Sequence, residues 1–313
     1  MLSSVKSARL VNIRPAFYKG LGGIGIYVNE TNNAIEVQGV SKFFSAFSLQ
    51  EATLQLPKGS ILGLVGENGA GKTTLIKLIM NVIERNAGKI YVLGQDNQQP
   101  DFTQLKQEIG VVLDEAYFPA VLTAKHVNQI MRRTYNKWDE AYFMELMERF
   151  ALPQNKKFNT YSRGMKMKLA IAVAIAHHPS LLILDEPTSG LDPMVREEIL
   201  DIFNDFTRDE ANSILFSSHI VSDLEKICDY VAFLHQGKLQ FCKEKDQLLE
   251  EYALVKLSQE DFEALPEEAV LSKKISSYGV EALVLKHQIA DVFVTEHTSL
   301  EDIILFMAKG ERK

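Results

Sequence analysis

Residues 66 to 74 read Gly-Glu-Asn-Gly-Ala-Gly-Lys-Thr-Thr, small residues ahead of a lysine and two hydroxyls, a spacing suited to holding a row of phosphates. Gly66, four intervening positions (Glu67, Asn68, Gly69, Ala70), then Gly71, Lys72 and Thr73 satisfy the P-loop pattern. In that pattern small residues let successive backbone N–H groups converge on phosphate oxygens. Lys72 is expected to reach the β- and γ-phosphates and Thr73 to ligate Mg²⁺, with Thr74 completing the run at the positive end of a new helix. The ligand implied is a nucleoside triphosphate.

A second constellation follows about a hundred residues on, where Leu181-Leu-Ile-Leu184 breaks into Asp185-Glu186-Pro187. Asp185 is expected to hold Mg²⁺ through water, and Glu186 to polarise the water that attacks the γ-phosphate. The elements that must position these groups are readable too. The P-loop lies between an apolar strand, Ser60 to Val65, and a helix entered at Leu75. Four consecutive apolar residues before Asp185 suit a central parallel strand covered on both faces, whose end is where α/β folds bind ligands.

Between the two lies Tyr161-Ser-Arg-Gly-Met165, ahead of a helical run from Lys166 to His177. Here the chain resembles the ATPases of ABC transporters, whose signature loop reads Leu-Ser-Gly-Gly-Gln; Ser162 and Gly164 keep its Ser and second Gly. Ser189-Gly-Leu-Asp192 is similar to the loop after the catalytic strand, and Ser217-Ser-His219 to the segment carrying the switch histidine. Phe44 matches the aromatic residue that stacks on adenine, with Phe43 as the fallback and Phe47 as a core residue. The resemblance spans residues 34 to 242 and implies ATP as the nucleotide, with Mg²⁺. It further implies a head-to-tail dimer with a second ATPase subunit, in which Ser162 and Gly164 of one complete the ATP site of the other.

Two departures from the family pattern stand out. Asp114 falls where the family has Gln, and its carboxylate is expected to serve as an oxygen ligand of Mg²⁺ while adding negative charge beside the triphosphate. Arg163 and Met165 replace the first Gly and the Gln of the signature loop. One decoy is set aside: Asn136-Lys-Trp-Asp139 reads as a guanine-recognition motif, but it precedes Asp185 and opens a helical segment, Trp138 to Phe150, so it is better taken as a helix start.

The 313 residues allow one large domain and a small appendage. No stretch approaches the roughly 18 apolar residues of a membrane span, so a transport pathway would lie on another chain. Cys228 and Cys242 lack metal-ligand spacing and fit free thiols in a reducing compartment. A net charge of −7 argues against nonspecific nucleic-acid binding.

The expected organisation is an ill-ordered extension over 1–33, an ATPase domain over 34–248 with a helical subdomain at about 115–170, and an accessory domain over 249–313. The fold class is α/β, a P-loop NTPase core with a mixed sheet flanked by helices and a small C-terminal α/β appendage. In the appendage, Leu283 to Leu285 and Val292 to Val294 read as strands, and Ser299-Leu-Glu-Asp302 as the start of a terminal helix. By resemblance the function is an ATP-binding and hydrolysing subunit that energises transport, leaning to export, through a separate integral-membrane permease. Such a subunit is cytoplasmic and peripheral on the inner face of the membrane, and Tyr117-Phe-Pro119 lies where family members meet that partner. The other reading is a soluble ABC ATPase that remodels a ribosome or chromosome. A single P-loop and the absence of coiled coil or basic arms count against it.

Overall fold

A computed structural model of the chain describes residues 32–113, 118–277, 279–290, 293–296 and 298–309. The N-terminal half opens with strands β1 (Asn33–Phe43), β2 (Ser48–Pro57) and β3 (Ile61–Val65), then helix α1 (Lys72–Ile79). Strands β4 (Ala87–Val92) and β5 (Gln95–Asp96), helix α2 (Phe102–Leu105) and strand β6 (Ile109–Val112) follow. Helices α3 (Ala124–Thr134), α4 (Glu140–Arg149) and α5 (Arg163–Ile175) fill the middle of the chain. Strand and helix then alternate through β7 (Leu181–Asp185), α6 (Pro193–Phe206), β8 (Ser213–Ser218), α7 (Val221–Ile227), β9 (Tyr230–His235), β10 (Lys238–Glu244) and α8 (Lys245–Glu251). The C-terminal unit comprises β11 (Tyr252–Leu257), α9 (Gln259–Glu263), β12 (Val270–Ser276), β13 (Gly279–Leu285), β14 (Thr295–Glu296) and α10 (Leu300–Lys309).

Ten strands form one mixed sheet in the order β5-β4-β1-β2-β10-β9-β3-β8-β7-β6. Its centre is parallel: β3 runs with both β9 and β8, β8 with β7, and β7 with β6. Every residue of β3, β7 and β8 is buried, the apolar runs Leu181 to Leu184 and Ile214 to Phe216 among them, as suits central strands covered on both faces. On one face α1 packs with the antiparallel strands β1, β2 and β4; on the other, α5 is buried around most of its circumference by α3, α4 and α6. Ser162 caps α5 through the Met165 N–H at 3.2 Å, so this helix starts three residues before the expected Lys166.

Asp139 caps α4 by accepting from the Tyr142 N–H at 2.9 Å, in line with reading Asn136 to Asp139 as a helix start. At the other end of the chain, Ser299 and Asp302 exchange side-chain to backbone hydrogen bonds at 3.1 and 3.0 Å, the reciprocal pair expected at the start of α10.

Two boundaries move. Asn32 accepts from the Lys58 N–H at 2.9 Å and Asn33 pairs with Pro57, so the sheet begins inside the segment expected to be an ill-ordered extension. Of the apolar run expected to be a strand, the described residues Phe293 and Val294 are not in one: Thr295 and Glu296 pair with Val255 and Leu254, while Val294 is exposed and Phe293 turns back to Ala290. Val292, Asp114, Tyr117 and residues 1–31 lie outside the described residues.

The C-terminal unit is a four-stranded sheet, β12-β13-β11-β14, with its own small core around Val255, Phe262 and Val284. Its helix α10, however, packs on α7 and α8. Leu300, Ile303 and Phe306 thereby join Leu224, Ile227 and Leu248 in the apolar cluster that also holds Val65, the residue before the P-loop. Ile303 is fully buried there, and Ile303→Ala should lower unfolding stability by about 2–5 kcal/mol through lost burial and the cavity left behind. Because the cluster is shared, the loss should appear as one cooperative urea transition moved to lower denaturant. Two separate transitions, with the nucleotide-binding part unmoved, would show that the C-terminal unit folds apart from it.

Candidate nucleotide-hydrolysis site

Three loops converge because three neighbouring parallel strands end on the same edge. The P-loop follows β3, the Asp185-Glu186 pair ends β7, and His219 follows β8, which lies between them. The register explains the detail: Ser217 on β8 is opposite Leu64 on one side and Asp185 on the other. Its hydroxyl donates to Asp185 Oδ1 at 2.5 Å and accepts from the Glu186 N–H at 3.1 Å, tying the two carboxylate residues together. Thr73 Oγ1 donates to the other oxygen of the same carboxylate, Asp185 Oδ2, at 2.7 Å.

Lys72 is buried at the first turn of α1. Its ammonium donates to the carbonyls of Gly66 at 2.7 Å and Glu67 at 3.3 Å, and lies 3.0 Å from Glu186 Oε1. Glu186 is itself only 8% exposed and has φ +53°, a left-handed backbone that costs on the order of 1 kcal/mol for a residue with a side chain. The opposite carboxylate oxygen, Oε2, faces His219 Nδ1 at 2.6 Å and the His219 N–H at 3.3 Å. A carboxylate oxygen only accepts, so the partner fixes the tautomer with the proton on Nδ1. Glu186 Oε1 is ion-paired but accepts no hydrogen bond, which leaves it an acceptor lone pair in a nearly closed site.

These residues fit a triphosphate with Mg²⁺. The Thr73 hydroxyl and one Asp185 oxygen, 2.7 Å apart, are a hard-oxygen donor pair suited to a cation that completes its shell from phosphate and water. No group of three or more His, Cys, Asp or Glu able to hold a metal occurs among the described residues, so a metal cage built by side chains alone is not what this edge offers. The loop itself is a cradle. Gly71 sits at φ +112° with the Phe47 ring against it, and a Cβ there would fall 2.7 Å from Phe47 Cζ. No side chain caps α1 and no acidic residue lies in its first turn, so its positive end faces the loop without an internal anion.

Of the remaining expected residues, Phe44 is half-exposed, stacks on Phe47 with ring centroids 6.4 Å apart, and has the Lys42 ammonium 5.5 Å from its ring. Through Phe47, which packs between Phe44 and Gly71, this aromatic platform is joined to the P-loop. Glu67, Asn68 and Gly69 form the exposed crest of the loop, Ala70 is buried beneath it, and Thr74 is half-buried. Ser162, Gly164 and Asp192 are brought together elsewhere: Ser162 caps α5, Asp192 caps α6 through the Val195 N–H at 3.1 Å, and a Cβ on Gly164 would lie 3.5 Å from Val195. Among the described residues neither Ser162 nor Asp192 hydrogen-bonds to the Lys72–Glu186 cluster.

Ser217 and Phe47 were not among the expected site residues. Ser217 stood inside the matched run Ser217-Ser-His219, but its role depends on strand order, which no single segment carries. Ser217→Ala should raise the Mg²⁺ concentration needed for half-maximal nucleotide hydrolysis and lower its maximal rate by about ten-fold, since the buried Asp185 Oδ1 loses a partner worth about 1–3 kcal/mol, while the Glu186 N–H keeps the Ser217 carbonyl at 3.1 Å. A Mg²⁺ titration superimposable on wild type would remove Ser217 from the site.

Comparison with known proteins agrees with this geometry. A family model described as ABC transporter matches residues 49–189. The chain is 34% identical over 225 residues to the ABC transporter ATP-binding protein YtrB of Bacillus subtilis (strain 168), covering 72% of this chain and 76% of that protein. It is also 34% identical over 215 residues to the bacitracin transport ATP-binding protein BcrA of Enterococcus faecalis, covering 68% of each. A solved structure of the ATP-binding subunit of an ABC transporter superposes with a TM-score of 0.63 at 27% identity, over 69% of this chain and 91% of that one. The chain belongs to the ABC transporter family, as an ATP-binding subunit.

Proposed function

We propose that this subunit hydrolyses ATP to drive transport, in the export direction, through an integral-membrane permease on a separate chain. The observation that carries the reading is the closed arrangement of Lys72, Glu186 and His219 at the mouth of the P-loop. Relatives named as bacitracin and lantibiotic transport ATP-binding proteins support the transport role. No helix among the described residues is long and apolar enough to cross a membrane, which is consistent with a pathway carried by a partner. The subunit would then work in the cytoplasm, at the inner face of the membrane.

In the proposed mechanism Lys72 exchanges its contact with Glu186 for the more highly charged β- and γ-phosphates. Glu186, released from the ammonium, orients the attacking water through Oε1 and accepts its proton, while His219 holds Oε2 and so fixes the direction in which Oε1 points. Thr73 and Asp185 would hold Mg²⁺, which when bound supplies positive charge to the phosphate oxygens. Phe44 offers the adenine an exposed ring face, and the Asp114 carboxylate is proposed as a further oxygen ligand at the same metal. Ser162 and Gly164, on the exposed N-terminus of α5, complete the ATP site of a second ATPase subunit packed head to tail.

Two measurements test the proposal. Glu186→Gln should retain ATP binding and slow hydrolysis by about 10² to 10⁴, the usual contribution of a positioned base, so that an ATP-bound dimer accumulates in gel filtration. Hydrolysis at the wild-type rate would deny Glu186 its role, and a monomer alone in the presence of ATP would contradict the sandwich. Affinity purification of the tagged protein from membranes should recover an integral-membrane permease, and recovery with ribosomes instead would overturn the transport reading.

A further inference from the structure

The signature loop departs from its family's glycine at Arg163, and the departure has a geometric counterpart in the loop that follows Glu186. Arg163 is the first residue of α5 and is exposed. Its guanidinium lies on Gly190: a Cβ at that position would be 2.5 Å from Nη1, 2.8 Å from Cζ and 3.3 Å from Nε. Gly190 has φ +65°, a backbone conformation that favours glycine, and the guanidinium lies over the space that a side chain there would take. A second contact lies one residue on, where a Cβ on Gly164 would meet Val195 at 3.5 Å and Leu191 at 3.9 Å. Arg163 makes no ion pair or hydrogen bond among the described residues, so this is a contact of packing by a stiff planar group.

The segment under Arg163 connects the two halves of the site. It leaves Glu186 in a left-handed conformation, turns through hydrogen bonds from Ser189 N–H to Glu186 O at 3.2 Å and from Leu191 N–H to Thr188 O at 3.3 Å, and ends at Asp192, the cap of α6. Its first residue is held by Lys72, His219 and Ser217. Between that anchor and Asp192, Arg163 is the side chain that meets the loop at its glycine.

We infer that Arg163 is a positioning residue that braces the loop from Glu186 to Asp192 against the N-terminus of the signature helix within one chain, fixing Ser162 relative to Glu186 before a second subunit docks. A glycine at position 163 has no side chain with which to make this contact, so the brace belongs to chains with a long planar group there. The inference rests on the ATPase reading proposed above and adds to it an intrachain link between the hydrolytic carboxylate and the surface offered to the partner.

The test is steady-state ATPase kinetics and equilibrium ATP binding for Arg163→Gly, Arg163→Ala, Gly190→Ala and the Arg163→Ala/Gly190→Ala double variant. Both Arg163 variants should lower kcat by about three- to thirty-fold, inside the span of coupling between residues in contact, while KM and ATP affinity stay within about two-fold of wild type. Gly190→Ala should also slow turnover, through backbone strain at its φ of +65° and through displacement of the guanidinium, of which only the second depends on Arg163. In the Arg163→Ala background the effect of Gly190→Ala should shrink to its strain component, so the double loss is smaller than the product of the two single losses. Unchanged kcat in both Arg163 variants overturns the brace, as does a Gly190→Ala effect that is no smaller in the Arg163→Ala background than in wild type, or a rise in KM with kcat intact. Absence of ATPase activity in the wild-type protein, by contrast, would overturn the reading on which the inference rests.

Discussion

One buried ammonium organises this protein. Lys72 lies where the P-loop turns into α1 and is shared among two loop carbonyls and Glu186, with both charged side chains no more than 10% exposed. A charge taken out of water is tolerable only when its partners stand in fixed positions, since leaving one buried member of such a pair alone costs about 3–5 kcal/mol. The surrounding architecture supplies those positions. The parallel order β3-β8-β7 brings three strand ends to one edge, and Ser217 on the middle strand bonds to both carboxylate residues at the end of the neighbouring strand.

The same constraint reaches the periphery. Helix α7 begins two residues after His219, and α10 of the C-terminal unit packs on it. Leu300 and Ile303 on α10 share a cluster with Leu224 and Ile227 on α7 and with Val65 before the P-loop, so the apolar core and the polar site are two sides of one set of elements. Arg196 on α6 pairs with the buried Asp223 on α7, which links the helix after Asp192 to the helix after His219.

Much of the site was legible in the sequence because each motif is local. Gly66 to Thr74, Asp185-Glu186 and His219 each sit at the C-terminal end of a strand, and a strand-length apolar run announces that end. The contacts that hold the motifs together were not legible, since Ser217 to Asp185, Phe47 to Gly71 and Arg163 to Gly190 join segments whose neighbourhood is set by strand order and loop course. The strand expected at 292–294 shows the same limit at its described residues, Phe293 and Val294. Hydrophobicity pointed to Val292 to Val294, but the pairing partner, β11, selected Thr295 and Glu296. Position 114, where the chain departs from its family beside the expected metal, lies outside the described residues.

The ammonium at position 72 is tested most directly by equilibrium binding of ATP with Mg²⁺ to Lys72→Ala, with wild type alongside. Removing it takes the positive charge from the phosphate cradle and leaves the Glu186 carboxylate with His219 but without its ammonium partner. Affinity should fall by about two orders of magnitude or more, the effect of truncating one member of a buried charge pair at a binding site. Binding at wild-type affinity, by a variant that remains folded, would contradict the assignment of Lys72 as the charge on which the site is built.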